Sequence, residues 1–469
     1  MASNAQKKRI YKNVPVVDLG LKGRNIAKQN GFVFLVNNTV PGDEVDIKIT
    51  RKKKSFFEGR PVFFHKYSEH RTEPFCSHFG TCGGCKLQNM DYQAQLFFKQ
   101  KKVENALSRI GKIALPAISP IIPAVETRYY RNRLDFGFSN LRWLTNEETA
   151  SSETVFDRNG LGFHIPGRYD KVLNIEHCHL QPEPSNAIRL AVRDFATAQE
   201  MEFYDVVAKK GFLRSLIVKT AETSEVMVIL VVNERQEENQ QKLSDFIRIK
   251  FPKVTSLYLV VNNKLNDTLY DQEHELIWGN PYLTEEISGL KFRLGPKSFF
   301  QTNTRQAQVL YQKALDMAAL QPAEIVYDLY CGVGSISLFM AQKAKHVIGI
   351  ETVTEAVEDA KRNAALNDIS NVEFVAGTVE DLLKPEFVAK YAAPDVLMID
   401  PPRSGMHPTA VKAIAELLPP RIVYISCNPD TQARDIAPLA ELYEVIQVQP
   451  VDMFPHTDHI ENIVLLKRK

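Results

Sequence analysis

One cysteine occupies a position suited to nucleophilic chemistry. Cys427 follows the apolar run Val423–Ile425 and precedes Asn428, so the sequence places it at the end of a predicted strand. In sheets built from alternating strands and helices, side chains at the carboxyl ends of the strands face the ligand crevice. A thiolate there can add to an electron-poor carbon and later leave, which divides one difficult step into easier ones. A lone cysteine is otherwise a small buried hydrophobe, and only its position favours the nucleophile.

A glycine turn and a distant acid indicate a nucleoside site. The sequence Asp-Leu-Tyr-Cys-Gly-Val-Gly, ending at Gly334, follows a predicted strand and opens a helix, and its glycines allow a ligand close to the backbone. Glu351 lies 19 residues beyond Gly332, where a carboxylate can accept hydrogen bonds from both ribose hydroxyls. The third glycine of a dinucleotide motif is missing, and Asp328 would repel phosphate. The cationic sulfonium of S-adenosylmethionine is therefore favoured over a dinucleotide.

Acidic side chains occur near two further predicted strand boundaries. Asp400 ends a strand and enters a Pro-Pro-Arg sequence, whose prolines stiffen the loop and can hold Asp400 and Arg403 near a transferred methyl group. Glu461 lies in a polar cluster just before the final predicted strand and could act as a base. His456 or His459 could support it or compete with it.

Together these groups suit methyl transfer to carbon 5 of uracil. That carbon is not nucleophilic enough to take a methyl group from a sulfonium unless a nucleophile first adds at carbon 6. Cys427 can supply the nucleophile, and Glu461 can remove the carbon 5 proton so that elimination releases the enzyme. We therefore predict a covalent cysteine–uracil intermediate.

The other cysteines include a candidate metal site. Three cysteines lie within ten residues and a fourth follows 93 residues after the third: Cys76, Cys82, Cys85 and Cys178. Four thiolates suit zinc or an iron–sulfur cluster, and the spacing does not separate these alternatives; zinc could also use His78 or His177. A radical S-adenosylmethionine enzyme is disfavoured, because its cysteine loop has three residues in the first gap, where this chain has five.

The surrounding sequence predicts a multidomain α/β protein with three domains. Residues 1–66 contain short alternating strands separated by glycines, which predict a small antiparallel β-barrel. Residues 67–290 contain the cysteine loop, a helix that Gly111 could end, and strands typical of an α+β region. In residues 291–469 strands and helices alternate, which predicts a doubly wound, mostly parallel Rossmann-like sheet.

Charge is distributed unevenly along the chain. Residues 1–66 hold 14 Lys and Arg against 5 Asp and Glu, whereas the whole chain has a net charge of +2. A solvated basic tail is one interpretation, but the strand pattern favours a folded module that binds a polyanion, with Arg51–Lys54 along a phosphate backbone. The sequence Arg128–Arg133, followed by Phe136 and Phe138, could add phosphate contacts and base stacking.

Composition excludes several classes of protein. No run approaches the 18 apolar residues of a membrane span, and the N-terminal sequence lacks the apolar core of a secretory signal. We expect a cytoplasmic enzyme with no membrane contact, and no obligate protein partner is evident. In that compartment cysteines favour metal ligation or catalysis over disulfides.

Four motifs carry a family resemblance. In order, and with the upstream cysteine loop, DLYCGVG, IDPPRSG, YISCNP and HIEN resemble those of the bacterial 23S rRNA (uracil-5-)-methyltransferases of the RlmD/RumA type. The resemblance covers essentially the whole chain, and the basic segment is similar to a TRAM domain. It implies Cys427 as the nucleophile and Glu461 as the base. It implies S-adenosylmethionine contacts at four residues: Gln301, Tyr330, Glu351 and Asp400. It also implies a [4Fe-4S] cluster at the four cysteines.

The resemblance implies 23S rRNA as the substrate, and two alternatives stay open. A tRNA could replace 23S rRNA, or the chain could be a non-catalytic RNA-binding protein that has kept the fold, which would make Cys427 and Glu461 coincidental. Because carbon 5 must reach both the thiol and the methyl group, the target uridine has to be unstacked. This requirement favours a hairpin or loop substrate.

Overall fold

A computed structural model describes residues 9–20, 23–151 and 157–469 of the chain. The chain divides into two compact units, each discontinuous in sequence. The barrel unit contains Met1–Gly80, Gly84–Thr127 and Asp400–Lys469. The central unit contains Thr81–Gly83 and Arg128–Ile399. The three predicted domain boundaries stay a prediction.

The described residues form β-strands and α-helices with the following bounds. The strands are β1 (Ile10–Leu19), β2 (Asn25–Gln29), β3 (Phe32–Val36), β4 (Glu44–Lys52), β5 (Phe57–Lys66), β6 (Arg133–Ser139), β7 (Gly160–Ile165), β8 (Arg168–Asn174), β9 (Leu213–Thr220), β10 (Val226–Val232), β11 (Val254–Val261), β12 (Glu275–Gly279), β13 (Leu283–Ile287), β14 (Leu290–Leu294), β15 (Ile325–Leu329), β16 (His346–Glu351), β17 (Val372–Ala376), β18 (Val396–Ile399), β19 (Arg421–Ser426), β20 (Tyr443–Val451) and β21 (Glu461–Arg468). The α-helices are α1 (Tyr92–Asn105), α2 (Asn146–Ala150), α3 (Ser185–Ala198), α4 (Glu237–Lys250), α5 (Thr304–Ala318), α6 (Ser335–Ala341), α7 (Thr354–Leu366), α8 (Val379–Leu382), α9 (Pro385–Tyr391), α10 (Pro408–Leu417) and α11 (Pro429–Ile436).

The first five strands close into a barrel in the order β1-β2-β3-β5-β4. Alternate residues such as Val14, Phe34 and Ile47 fill its interior and are fully buried. Neighbouring strands are antiparallel except β3 and β5, which are parallel. A closed ring with an odd number of strands cannot alternate direction throughout, so the purely antiparallel barrel predicted from the sequence was wrong at this one pair.

Helix α1 belongs to the barrel unit and follows the cysteine loop in the sequence. The side chain of Asp91 caps it by accepting a 2.9 Å hydrogen bond from the Ala94 amide. The helix runs on into a π-helical turn, Ala106–Ile110, and Gly111 ends it as predicted. A Cβ at Gly111 would lie 2.8 Å from the Leu107 carbonyl oxygen, so a larger residue would not fit there without movement.

The central unit contains a seven-stranded sheet in the order β12-β11-β10-β9-β6-β7-β8. Its strand β6 alternates, and the inward set Leu134, Phe136 and Phe138 is buried. The predicted base stacking by Phe136 and Phe138 is therefore wrong, because only 1% and 3% of these residues is exposed. Arg133, on the other face of the strand, pairs with Asp135 at 2.8 Å.

The predicted alternation of strands and helices is present in the later part of the chain. In the central unit β17, β16, β15 and β18 pair in parallel in that order, with α6 and α7 packed against them. In the barrel unit β21 lies between β19 and β20 and is antiparallel to both. No helix in the described ranges is long and apolar enough to cross a membrane.

Candidate active site

Cys427 is the first residue after β19 and is half-buried. The next residue, Asn428, caps α11, with its side chain accepting a 3.2 Å hydrogen bond from the Asp430 amide. The amide of Asn428 donates to the Ser426 hydroxyl at 3.1 Å. The thiol is thus carried on a short turn between a buried strand and a capped helix, so its backbone has little freedom.

Glu461 is the first residue of β21, and only 3% of it is exposed. The pairing of Ser426 with Asn462 in β19 and β21 places Glu461 at the same end of these strands as Cys427. Asp400 and Arg403 interact electrostatically with both Cys427 and Glu461. The barrel unit therefore brings together the predicted nucleophile, the predicted base, and the acid and arginine of the Pro-Pro-Arg loop.

Burial controls the protonation of this cluster. It raises the pKa of the Cys427 thiol to about 12, and the negative charges of Glu461 and Asp400 add to this increase while Arg403 opposes it. Burial also raises the pKa of Asp400 to about 7. It raises the pKa of Glu461 well above its ordinary value, with Asp400 adding and Arg403 opposing. The site thus retains protons near neutral pH, and an added positive charge would favour their release.

The loop that carries Arg403 is fixed against α11. The carbonyl of Arg403 accepts a 3.1 Å hydrogen bond from the Asn428 side chain. The amide of Met406 donates to Asp435 at 2.7 Å. Gly405 has φ of +76°, and a Cβ there would lie 2.5 Å from the Asp435 carboxylate, so the close approach of loop and helix requires glycine. This packing sets the position of Arg403 relative to Cys427.

His456 is held by residues far away in sequence. Its carbonyl accepts hydrogen bonds from the amides of Lys86 and Leu87 at 2.7 and 3.0 Å. The side chain of Gln95 accepts from the His456 amide at 2.9 Å and contacts its ring nitrogen Nδ1 at 3.2 Å. These contacts give His456 a structural role in anchoring its loop to the segment after the cysteine loop.

His459 has a different environment. Burial lowers its pKa to about 4, and the cations Arg403, Lys102 and Lys99 lower it further, while Asp458 opposes them. The imidazole is therefore neutral near neutral pH, and His459 stays a competitor for the role of base.

A buried ion pair that was not predicted from the sequence lies beneath the loop that contains His456 and His459. The Lys99 ammonium lies 2.7 Å from Asp452, and neither side chain is exposed. Tyr92 donates a 2.9 Å hydrogen bond to the same carboxylate, and Lys99 also donates to the Phe454 carbonyl at 3.0 Å. Lys99 and Asp452 are 353 residues apart, and no motif in the sequence links them. Removing one partner would leave a buried charge uncompensated.

The glycine turn of the central unit has the shape of a ligand cradle. Gly332 and Gly334 have φ of +54° and +82°. A Cβ at Gly334 would lie 2.8 Å from Phe374, whereas one at Gly332 would meet no atom within 4 Å. Tyr330 also has a positive φ, +66°, which is rare for a residue with a side chain and is typical of functional turns. The space beside Gly332 is therefore open to a ligand.

Glu351 is oriented by the same turn. Its Oε2 accepts a 3.0 Å hydrogen bond from the Gly332 amide. Its Oε1 accepts from the amides of Thr352 and Val353 and from the Thr352 hydroxyl, at 2.7 to 3.0 Å. A carboxylate has about four acceptor positions, so Oε2 keeps capacity for a ligand hydroxyl. Asp328 is instead fully buried and accepts from Ser337, so it lies inside the fold and not at the surface of the turn.

Gln301 precedes α5 and is anchored through its backbone. Its carbonyl accepts a 2.9 Å hydrogen bond from the Asn132 side chain. The Asn132 side chain also donates to the Thr304 hydroxyl at 2.9 Å, and the Asn132 amide donates to the Thr302 carbonyl at 2.9 Å. Asn132 lies in the Arg128–Arg133 sequence, for which RNA contacts were predicted. Its hydrogen bonds show instead that Asn132 supports the backbone at Gln301.

The four cysteines of the candidate metal site are divided between the units. Cys76 and Cys85 belong to the barrel unit, and Cys82 and Cys178 to the central unit. Among the residues that the structure describes, no group of three or more His, Cys, Asp and Glu that could hold a metal ion is present. The [4Fe-4S] cluster, which the family resemblance implies, therefore stays a prediction.

Comparisons with known proteins show which family the chain belongs to. The family model of tRNA (uracil-5-)-methyltransferases matches residues 272–469, and that of the TRAM domain matches residues 6–62. An uncharacterized RNA methyltransferase of Bacteroides thetaiotaomicron is 49% identical over 96% of this chain and 100% of its own length. One from Porphyromonas gingivalis is 45% identical over 97% and 99%.

A solved structure extends the comparison to the fold. The Pyrococcus abyssi tRNA (uracil-54, C5)-methyltransferase in complex with S-adenosyl-L-homocysteine is 26% identical, with a TM-score of 0.73 over 97% of this chain and 100% of that one. The predicted fold class is confirmed: a small N-terminal TRAM barrel precedes a mixed α/β body with a Rossmann-like methyltransferase domain.

Proposed function

The chain belongs to the TRAM-domain RNA (uracil-5-)-methyltransferases, and from this premise we propose that it methylates carbon 5 of a uridine in 23S rRNA. S-adenosylmethionine is the methyl donor of this family. The observation that carries the proposed chemistry is the cluster of Cys427, Glu461, Asp400 and Arg403 in the barrel unit. A non-catalytic RNA-binding protein would not need a half-buried thiol and two carboxylates, one of them buried, around one arginine.

The proposed reaction begins at the Cys427 thiol. The thiol gives up its proton to water, its sulfur forms a bond to carbon 6 of the uracil, and the electron pair of the carbon 5–carbon 6 double bond moves toward carbon 5 and the carbonyl at carbon 4. S-adenosylmethionine supplies the electrophilic methyl group that carbon 5 takes up. Glu461 then accepts the carbon 5 proton, and the sulfur leaves carbon 6 as the double bond forms again.

The protonation of the cluster fits this order of events. Before ligands arrive, burial keeps the thiol and Glu461 protonated, so neither carries an uncompensated negative charge. Arg403 favours the thiolate, and a bound cation would act in the same direction. Glu461 must also lose its proton before it can act as a base. Arg403 favours that loss, and a bound cation would act in the same direction.

The ligand-binding part of the proposal uses the central unit. Tyr330 and the glycine turn would contact S-adenosylmethionine, Glu351 would accept a hydrogen bond from a ribose hydroxyl through Oε2, and Gln301 would add a further contact. Asp400, which directly follows β18 in the chain, would complete this set. The open space beside Gly332 and the preset carboxylate of Glu351 support these assignments.

The choice of 23S rRNA rests on the cysteine loop, which resembles that of the rRNA enzymes. A tRNA substrate is the second candidate, because the similar solved enzyme acts on a tRNA uracil. We further propose that Cys76, Cys82, Cys85 and Cys178 hold a structural [4Fe-4S] cluster, which takes no part in methyl transfer. A cytoplasmic location belongs to the same proposal.

Methylation of RNA from a strain that lacks the gene tests the substrate. Purified protein and S-adenosylmethionine are added to 23S rRNA and to total tRNA from that strain, and 5-methyluridine is located by mass spectrometry of nuclease fragments. We expect one or a few 5-methyluridines in loops of 23S rRNA and none with a Cys427→Ala control. Methylation confined to tRNA would reject the rRNA assignment and keep the reaction. Methylation of neither RNA would reject the function.

A further inference from the structure

One face of helix α1 carries a stripe of four polar residues. Tyr92, Gln95, Lys99 and Lys102 are spaced by three or four positions, so their side chains lie on the same face of the helix. A polar stripe on a helix usually faces water, but Gln95 and Lys99 are fully buried. Because a buried polar group needs a hydrogen-bond partner, the stripe must be matched by polar groups inside the barrel unit.

The partners of this stripe lie in the connection between β20 and β21. The first three residues of the stripe bind the part from Asp452 to His456. Lys102, the last of the four, donates a 3.0 Å hydrogen bond to the backbone carbonyl of Asp458. Asp458 lies three residues before Glu461, the proposed base. The helix therefore holds the chain almost up to the residue where β21 begins.

Lys102 interacts with both segments that carry the proposed catalytic pair. Burial lowers the pKa of its ammonium group, and the negative charges of Asp458 and Asp430 oppose this effect. Asp430 lies three residues after Cys427, in the first turn of α11, just as Asp458 lies three residues before Glu461. One half-buried cation therefore attracts an acid near the nucleophile and an acid near the base.

Further interactions place Lys102 close to the site. Its ammonium group and the guanidinium of Arg403 repel each other. The pKa of His459 is lowered first by burial and then by cations that include Lys102. The π-helical turn Ala106–Ile110, which continues α1, packs against α11, and such turns are rare and often occur at functional sites. The end of α1 is thus fixed against the helix that follows Cys427.

We propose that Lys102 is a positioning residue for Glu461, which it holds in place through the Asp458 carbonyl. Pairing with Val451 of β20 fixes the backbone of Glu461 on one side, and the hydrogen bond from Lys102 fixes the chain that leads into it. Lys102 itself makes and breaks no bond with the uracil. The inference rests on the proposed methyltransferase function and deepens it, because it names a residue that sets the geometry of proton removal from carbon 5.

Replacing Lys102 by methionine tests this role, because methionine fills a similar space but cannot donate the hydrogen bond. Release of the loop should displace the Glu461 carboxyl, and a misplacement of about 1 Å can slow a reaction step about a hundredfold. Turnover of the full-length protein on 23S rRNA should fall at least about tenfold, with the KM for S-adenosylmethionine unchanged within about twofold. Since proton removal is the slowed step, covalent enzyme–RNA complex should accumulate and survive denaturing electrophoresis.

Three further variants complete the test. Lys101→Met changes the neighbouring lysine of α1, whose ammonium instead lies 3.0 Å from Asp18, and it should turn over normally without complex. Lys102→Arg keeps a donor and a positive charge and should retain most of the turnover. Lys102→Gln, with a shorter side chain and no charge, replaces the methionine variant if that protein does not fold, and it should accumulate the same complex. Normal turnover in Lys102→Met, or slow turnover without accumulated complex, would overturn the proposal.

Amide hydrogen exchange tests the position of the loop without any substrate. In Lys102→Met the peptide that contains Asp458 and Glu461 should exchange at least about tenfold faster than in the original chain, because a hydrogen bond from a charged group is lost. In Lys101→Met its exchange should be unchanged. Equal exchange of this peptide in the two variants would also overturn the proposal. Absence of 5-methyluridine with the original chain would reject the proposed function, while the exchange rates would still decide whether Lys102 holds the loop.

Discussion

The side chain of Asn132 donates a 2.9 Å hydrogen bond to the backbone carbonyl of Gln301. With its bonds to Thr302 and Thr304, Asn132 supports the whole turn that leads into α5. Lys219 supports the preceding loop, since its ammonium donates to the Pro296 carbonyl at 2.8 Å. The seven-stranded sheet of the central unit therefore sets the position of a segment that is proposed to bind S-adenosylmethionine.

Replacing Asn132 by alanine should weaken S-adenosylmethionine binding about tenfold, because loss of two side-chain hydrogen bonds costs on the order of 1–2 kcal/mol. The KM for S-adenosylmethionine should rise, with kcat changing less, and calorimetry with S-adenosylhomocysteine gives the affinity directly. Asn140→Ala removes an amide at the other end of β6 and is the control. Unchanged affinity in a folded Asn132→Ala protein would contradict the positioning role.

Replacing Cys427 by alanine or serine should abolish turnover, with a loss of at least about a thousandfold, because the nucleophile is absent. Affinity for S-adenosylhomocysteine should stay within a factor of about three. Methyl transfer is measured with tritiated donor and 23S rRNA. Cys331→Ala, at a buried cysteine of the glycine turn, shows whether loss of any thiol has the same effect. Near-normal methylation by Cys427→Ala would exclude the covalent mechanism.

Glu461→Gln should stop the reaction after methyl transfer, because the amide cannot accept the carbon 5 proton. Covalent enzyme–RNA complex should then accumulate and survive denaturing electrophoresis. Glu444→Gln, on the exposed face of β20, should turn over normally. If Glu461→Gln yields free enzyme and unmodified RNA, the base is sought at His459, whose lowered pKa keeps it neutral.

The raised pKa of Asp400, about 7, predicts a pH-dependent stability. Below the ordinary pKa of 3.8 the carboxyl is protonated in both folded and unfolded chains. As the pH rises toward 7, the unfolded chain releases the proton while the folded chain keeps it, so folded stability falls. Asp400→Asn removes this loss, and its Tm should exceed that of the original chain by about 2 °C or more at pH 8 and by less at pH 4. A Tm difference that does not grow with pH would contradict the raised pKa of this carboxyl.

Protein purified without oxygen should be brown and contain about four irons per chain if the cysteine loop holds a [4Fe-4S] cluster. Cys82→Ser or Cys85→Ser should remove the absorbance, whereas Cys331→Ser should not. Colourless protein with one equivalent of zinc would select the alternative that the spacing of the ligands left open.

The sequence predicted those features that depend on local order along the chain. Cys427 and Glu351 each lie at or directly after the end of a buried strand, and the alternation of apolar residues located both strands. The glycine turn was recognisable because Gly332 and Gly334 need a conformation that few other residues adopt.

Features that depend on distant contacts were not predictable from one sequence. Phe136 and Phe138 look like a stacking surface in isolation, but their face of β6 is covered in the folded protein. Strand β20 was missed, although Tyr443–Val451 pairs along its length with β21. This strand could be recognised only from its pairing with β21. Likewise, the support of Gln301 by Asn132 depends on a contact between residues 169 positions apart.

The ion pair of Lys99 with Asp452 limits how early during synthesis this part of the protein can complete its fold. Translation delivers Lys99, in α1, 353 residues before the carboxylate that neutralises it. A nascent chain can therefore close the barrel strands early, but the ammonium must stay hydrated until residue 452 has left the ribosome. The loop with His456 and the strand with Glu461 follow within ten residues. Closure of this buried pair therefore coincides in synthesis with arrival of the proposed base.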